Sequence, residues 1–377
     1  MKIALICTEK LPVPPIAGGA VQLYIDGIVP FLSKQHDITV FSVQHPDLPD
    51  EEEKGNVHYI RVPGKTDTIY INSVKDRLDS SYDLIHVFNR PRFLLSFAEH
   101  LPDSKFSLSL HNEMLDTKKI SDGAAALCVE KAEFINTVSQ YIANTVKQRL
   151  PNAAQKLHVV YSGVDTQKYA PPWTREGMQI KLDMKKKFGL EDCKVVLFVG
   201  RLSVKKGVHV LLKAMKKVMD RHKKVALVIV GSKWYGRNES DEYTASLHEL
   251  SKALTGPILF TGFVPPSKIP RYFCMGDVFI CASQWNEPLA RVHYEAMAAG
   301  LPIITTDRGG NREVVDGYGN GIVIGDYRNP DVIAGHISYL LDNPDKALEM
   351  GMKGRKLAEE KYNWKRVAAE AIQSIEG

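Results

Sequence analysis

Two carboxylates, Glu287 and Glu295, are separated by seven residues, and a proline directly follows the first. Pro288 has no N–H to donate and disfavours helix in the residue before it, so Glu287 is expected in a loop and a helix at or just after Pro288. Glu295 would then lie inside that helix, about 9–11 Å along its axis from the start. That is too far for the two to share a proton. The pair is therefore not read as a glycosidase acid and nucleophile, which stand about 5–10 Å apart across one bond. Two separate points for binding hydroxyls suit an elongated polar ligand. Gly300 and Pro302 stop the helix, and Ile303 to Thr306 reads as a buried strand. The carboxylates are thus expected near the carboxyl end of a sheet, where open α/β folds bind ligands.

Groups suited to an anion stand in other turns between strand and helix. Val199-Gly200-Arg201-Leu202-Ser203-Val204-Lys205-Lys206-Gly207 offers a planar guanidinium fork and a mobile ammonium, which together fit a diphosphate, while Gly207 lets the next helix start close to it. Gly18 and Gly19 follow the first strand and could let backbone N–H groups approach an anion, although a tight turn explains them equally well. Gly231 and the run Gly262-Phe263-Val264 end further strands at the same edge and suit a nucleotide base held by backbone groups. At Asp307 to Glu313 a glycine turn with Asn311 as helix N-cap is at least as good a reading as a ligand loop. His111, followed by Asn112 and Glu113, ends an apolar strand and is the better histidine candidate. His86 is expected at the end of the strand Asp83-Leu84-Ile85, half buried beside Val87 and Phe88.

The elements that position these groups alternate in type along the chain. Short β-type runs at 2–7, 37–43, 57–62, 84–88, 106–110, 135–138 and 157–160 are interleaved with helical stretches, among them 20–33, 69–79, 124–134 and 140–150. The alternation begins afresh at Lys194 to Val199 and predicts two Rossmann-like halves with parallel doubly wound sheets. Tyr169 to Thr174 reads as the start of a linker, with a helix expected over Asp183 to Phe188, and the acidic run Asp47 to Glu53 as a solvated loop.

Composition narrows the function classes. The 377 residues, 44% hydrophobic, suffice for two domains. The apolar run at the start stops at Thr8-Glu9-Lys10, so it reads as a first strand rather than a secretory leader. No segment reaches the roughly 20 apolar residues of a membrane span. Five scattered cysteines without a C-x-x-C pair fit buried thiols in a reducing cytoplasm, and neither disulfides nor a metal site is expected. Residues 1–165 hold 17 Lys and Arg against 20 Asp and Glu, a net −3, which leaves 32 against 24, or +8, for the rest. Most of that excess lies on predicted amphipathic helices rather than in an aromatic-laced stripe, so nucleic acid is not expected as a partner. A small anionic ligand in the C-terminal half is favoured.

In order, these motifs resemble the retaining glycosyltransferases of family 4. The match covers essentially the whole chain: Gly18-Gly19, Tyr82-Asp83-Leu84-Ile85-His86, Val138-Ser139, Tyr161-Ser162-Gly163-Val164-Asp165, Gly200-Arg201-Leu202 with Lys206-Gly207, Glu287 with Glu295, Ala296 to Gly300, and a final helix at Tyr362-Asn363-Trp364. The resemblance implies the GT-B fold, two Rossmann-like α/β domains facing across a cleft, with a last helix crossing back to the first domain. The boundaries it suggests are 1–170 for the acceptor-side domain, 171–355 for the nucleotide-sugar domain and 356–377 for the terminal helix. It further implies a donor that is a nucleotide-diphosphate sugar, UDP-linked, held without cofactor or metal. Arg201 and Lys206 would take the diphosphate, Glu295 the ribose, and Glu287 the hydroxyls of the transferred sugar. His111 would lie close to the reacting sugar, and Gly18, Gly19, Gly231, Val264, Leu289 and Ala290 would line the donor. The acceptor would be a glycan, protein or small molecule. Departures are Leu289 and Ala290, where phenylalanine and glycine are usual, and Ser162, where asparagine is common; Arg291 and His293 have no place in the pattern. A second reading is a scaffold that binds sugar or nucleotide without turnover and serves coat assembly, with other coat proteins as partners. An NAD-dependent dehydrogenase is disfavoured because neither half has a G-x-G-x-x-G turn.

Overall fold

The computed structural model describes residues 1–233 and 241–376, with side chains up to residue 371. The chain forms two units, Met1–Gly163 with Trp364–Gly377, and Val164–Asn363. In the first, eight strands run β1 (Lys2–Ile6), β2 (Asp37–Val43), β3 (Glu51–Lys54), β4 (Val57–Val62), β5 (Leu84–Phe88), β6 (Phe106–Leu110), β7 (Ala132–Thr137) and β8 (Leu157–Val159). Their order in the sheet is β3-β4-β2-β1-β5-β6-β7-β8, and every pairing is parallel except β3 with β4. The second unit has β9 (Lys194–Val199), β10 (Val225–Val230), β11 (Ile258–Phe260), β12 (Val278–Cys281), β13 (Ile303–Thr306) and β14 (Gly321–Ile324), in the order β11-β10-β9-β12-β13-β14, all parallel. β5 and β10 are buried throughout, β10 wholly apolar and β5 apolar but for His86, as sheets covered by helices on both faces require. Both halves are therefore Rossmann-like.

Sheet order also fixes where ligands can bind. The chain winds outward from β1 in one direction through β2 and in the other through β5, and likewise from β9 through β10 and β12. The loops that leave those central strands diverge to opposite faces and open a crevice at the carboxyl ends. The turn after β9 carries Arg201 and Lys206, and the turn after β12 carries Glu287, so topology brings together groups 81 residues apart. The last helix, Trp364–Glu376, belongs to the first unit. Its Trp364 ring fits over Gly27, where a Cβ would come within 2.3 Å, and stands edge-on to Tyr24 at 5.8 Å. Arg366 donates to the Tyr161 carbonyl at 2.7 Å.

Several local expectations are corrected. The acidic run is not wholly a loop: Glu51–Lys54 pairs antiparallel with β4, because Glu52 accepts from the buried Arg61 guanidinium, which also donates to Val13 O and Pro49 O. The helix expected over 124–134 spans Asp122–Lys131 and gives way to β7 at Ala132, where Lys156 Nζ donates to the carbonyls of Val129, Glu130 and Ala132. The helix expected from Asp183 begins eight residues earlier, at Arg175, because Thr174 accepts the Gly177 N–H and caps it. Lys185 on that helix is buried rather than solvated, and with Lys181 it binds Asp277. Burial acts to raise the Asp277 carboxyl, but these lysines and the Val195 N–H more than offset it and hold it low.

Candidate functional site

Pro288 does not start a helix. Glu287 pairs in a bridge with Gly309, the Gly310 N–H donates to the Glu287 carbonyl at 2.8 Å, and the Ala290 N–H donates to Asn311 Oδ1 at 3.1 Å. With this backbone committed to the neighbouring turn, the helix begins only at Val292. Glu295 consequently lies in the first helical turn, and the separation argued from an axis starting at Pro288 does not hold. Asn311 is likewise not a helix N-cap. It is fully buried and ties the turn after β13 to the loop holding Leu289 and Ala290. Gly309, at φ 62°, makes the approach possible, since a Cβ there would stand 2.0 Å from the Glu287 carbonyl oxygen.

Glu287 itself is buried, and its Oε1 accepts from Lys206 Nζ, from Trp285 Nε1 at 2.6 Å and from Ser283 Oγ at 2.9 Å. Burial acts to raise its pKa, but the Lys206 charge and these donors prevail and hold it below the ordinary carboxylate range. Gly207 permits the ion pair: at φ 74°, a Cβ would stand 1.9 Å from Ala282 O, so only glycine lets the turn after β9 lie against the start of the turn after β12. The Gln284 N–H donates to Lys205 O at 2.7 Å and locks the two turns. Arg201 is exposed at the start of the same turn. Glu295 is mostly buried, with Arg291 at 3.9 Å; burial raises its pKa and Arg291 opposes the rise. Gly231 bridges Gly262 beyond the ends of β10 and β11, and Val264 is buried two residues further on. Leu289 is half-buried and Ala290 buried.

His293 also finds its explanation here. It is fully buried, with Nδ1 2.8 Å from Ala290 O and Nε2 2.8 Å from Thr305 Oγ1. A carbonyl only accepts, so Nδ1 carries the proton and Nε2 accepts from the threonine. Burial lowers its pKa to about 4, so it is a neutral brace between the helix, the Ala290 loop and β13.

In the first unit, His111 directly follows β6. It is buried, its N–H donates to Asn89 Oδ1 at 3.0 Å, and its ring stands edge-on to Tyr24 at 4.9 Å. His86, by contrast, lies inside β5 rather than at its end, fully enclosed, with ring nitrogens 2.7 Å from the hydroxyls of Ser107 and Ser109. Burial drives its pKa to about 3, and it is a core residue. The turns after β1 and β5 meet through Glu9, which accepts both arms of the Arg90 fork at 2.7 and 2.8 Å. Gly18 and Gly19 open the helix Ala20–Leu32, and Gln22 in its first turn donates to Thr8 Oγ1 at 2.9 Å and Leu11 O at 3.2 Å. Sequence reasoning missed Ser283, Trp285, Glu9, Arg90 and Gln22. The alternation of elements gives no pairing between turns, although Ser283 and Trp285 stand within four residues of Glu287 and were open to inspection.

Comparison with known proteins agrees with this architecture. The family model described as Glycosyltransferase Family 4 matches residues 18–168, and that described as Glycosyl transferases group 1 matches residues 180–357. Spore coat protein SA of Bacillus subtilis (strain 168) is 45% identical over 377 residues, 100% of this chain and 99% of that protein. Putative glycosyltransferase YtcC of the same strain is 44% identical over 98% of this chain and 90% of its own length. Among solved structures, Anabaena Alr3699/HepE in complex with UDP-glucose superposes with a TM-score of 0.79 at 20% identity, covering 100% of this chain and 99% of that one. Sucrose-phosphate synthase from Thermosynechococcus elongatus reaches 0.80 at 19%, covering 100% and 98%; these two likenesses speak for the fold alone. With GT-B neighbours, two Rossmann-like units and full-length relatives above 40% identity, the chain belongs to the group 1 and family 4 glycosyltransferases.

Proposed function

We propose that this chain transfers a sugar from a UDP-linked donor to a glycan, protein or small-molecule acceptor, with retention of anomeric configuration and without a metal. The observation that carries the reading is the meeting of Lys206 with Glu287 at the carboxyl ends of β9 and β12, a cation for phosphate beside a carboxylate for hydroxyls. Arg201, exposed on the same turn, adds a planar fork for the diphosphate. We assign Glu295 to the ribose hydroxyls, Glu287 to those of the transferred sugar, and Gly231, Val264, Leu289 and Ala290 to backbone and apolar contacts with the donor. Gly18 and Gly19 are assigned to donor binding, and His111 to turnover. The bond from the anomeric carbon to the diphosphate oxygen breaks, the bond to the acceptor oxygen forms on the same face, and the acceptor proton passes to the departing phosphate. Charge stabilisation and positioning carry such a step without a protein nucleophile.

Titration calorimetry with UDP and UDP-glucose in EDTA tests this. Both should bind, Glu295→Gln should weaken UDP, and Glu287→Gln should leave UDP nearly unchanged while weakening UDP-glucose. Loss of binding on chelation, or equal effects of the two substitutions on UDP, would refute the assignment. A second reading, coat assembly on a catalytically silent scaffold, is favoured by the 45% identity to Spore coat protein SA. It predicts no donor hydrolysis with any common nucleotide sugar.

A further inference from the structure

All three donors to the Glu287 carboxylate reach the same oxygen, Oε1, and among the described residues none reaches Oε2. They differ in kind. Lys206 is a charge on a flexible stem, the group assigned above to the diphosphate. Ser283 is fully buried two residues beyond the end of β12, and Trp285 presents a rigid indole. The loop that carries Trp285 is fastened on both sides: Gln284 donates from its backbone to Lys205 O at 2.7 Å and from its side chain to Ala282 O at 2.8 Å and Tyr327 O at 3.1 Å. Lys205 Nζ lies 4.6 Å over the Trp285 ring, which holds the indole plane by attraction to its negative face.

We propose that Trp285 is a positioning residue for the transferred sugar: its N–H, with the Ser283 hydroxyl, holds Oε1 of Glu287 while Lys206 turns to phosphate, and so keeps Oε2 presented to a sugar hydroxyl. The proposal rests on the nucleotide-sugar reading. A buried carboxylate held by Lys206 alone would lose its orientation when the ammonium was drawn towards a diphosphate. Two neutral donors fixed by the loop do not compete for phosphate in that way. Because their effect passes through Glu287 to the sugar, affinity for the nucleotide and affinity for the whole donor must separate.

Calorimetry on the full chain, wild type against Trp285→Phe, tests this with UDP and with whichever of UDP-glucose, UDP-galactose and UDP-N-acetylglucosamine the wild type binds best. Phenylalanine keeps a ring beneath Lys205 and removes the N–H. UDP affinity should stay within about twofold, and that of the nucleotide sugar should fall at least about fivefold; Ser283→Ala should act in the same direction. Equal weakening of both ligands would make Trp285 a support of the loop only, and no weakening of either would remove its role; each result overturns the proposal. A wild type that binds no UDP refutes the nucleotide site and the proposal with it, whereas wild-type binding with an unaffected Trp285→Phe refutes the positioning role alone.

Discussion

Replacing Lys206 by alanine would show how much of the Glu287 ion pair is built into the ligand-free fold. The Glu287 side chain is 5% exposed and that of Lys206 20%. The pair therefore falls between surface pairs, worth about 0–1 kcal/mol, and buried pairs whose breaking costs about 3–5 kcal/mol. Trp285 and Ser283 remain on the carboxylate and soften the loss by about 1 kcal/mol. A destabilisation of about 2 kcal/mol follows, or roughly 4–8 °C in melting temperature for a unit the size of Val164–Asn363. The sign of its pH dependence is fixed by the direction of the shift. The folded Glu287 pKa lies below its ordinary value of 4.5, so the pair's contribution is present above 4.5 and is lost as pH falls through the lower folded value. The difference between wild type and Lys206→Ala should be full at pH 7 and shrink below about pH 4.5. Denaturant unfolding of Lys206→Ala, Glu287→Gln and the double variant completes a cycle with a coupling of at least about 1.5 kcal/mol. If Lys206→Ala costs as much in the Glu287→Gln background, or as much at pH 4 as at pH 7, the ion pair is not what stabilises this corner.

Arg201→Ala should weaken UDP by about 1.5–3 kcal/mol in calorimetry and leave the melting temperature unchanged, because the side chain is exposed. His111→Ala should lower transfer or donor hydrolysis at least about tenfold, a transition-state contact of about 1.4 kcal/mol, with UDP affinity nearly constant; an equal fall in affinity would contradict its assignment to turnover. Gly309→Ala should destabilise by about 1–3 kcal/mol and weaken UDP-glucose, since a Cβ would meet the Glu287 carbonyl and the residue would be held at φ 62°. Unchanged unfolding and binding would show that the turn adapts freely.

The alternation of apolar strands with helical stretches, and the glycine and proline punctuation between them, made two Rossmann-like halves legible, because those signals are local and repeat along the chain. The same punctuation placed Arg201, Lys206, Glu287 and His111 in turns at strand ends. Tertiary structure decided what local signals could not. Pro288 is a good first residue for a helix, yet the demand of Gly310 and Asn311 for the backbone around it delayed the helix to Val292 and moved Glu295 into the first turn. His86 and His111 look alike in sequence, each beside an apolar run. Only the register of β5 with β6, which sets His86 opposite Ser107, makes the first a neutral core residue. The acidic run at 51–53 looked solvated because its partner, Arg61, is drawn under it by the pairing of β3 with β4. The pairing of Lys206 with Glu287 belongs to neither local segment: β9 and β12 are neighbours only because the second sheet reverses direction at β9, and hydrogen bonds between distant turns leave no periodicity in a sequence.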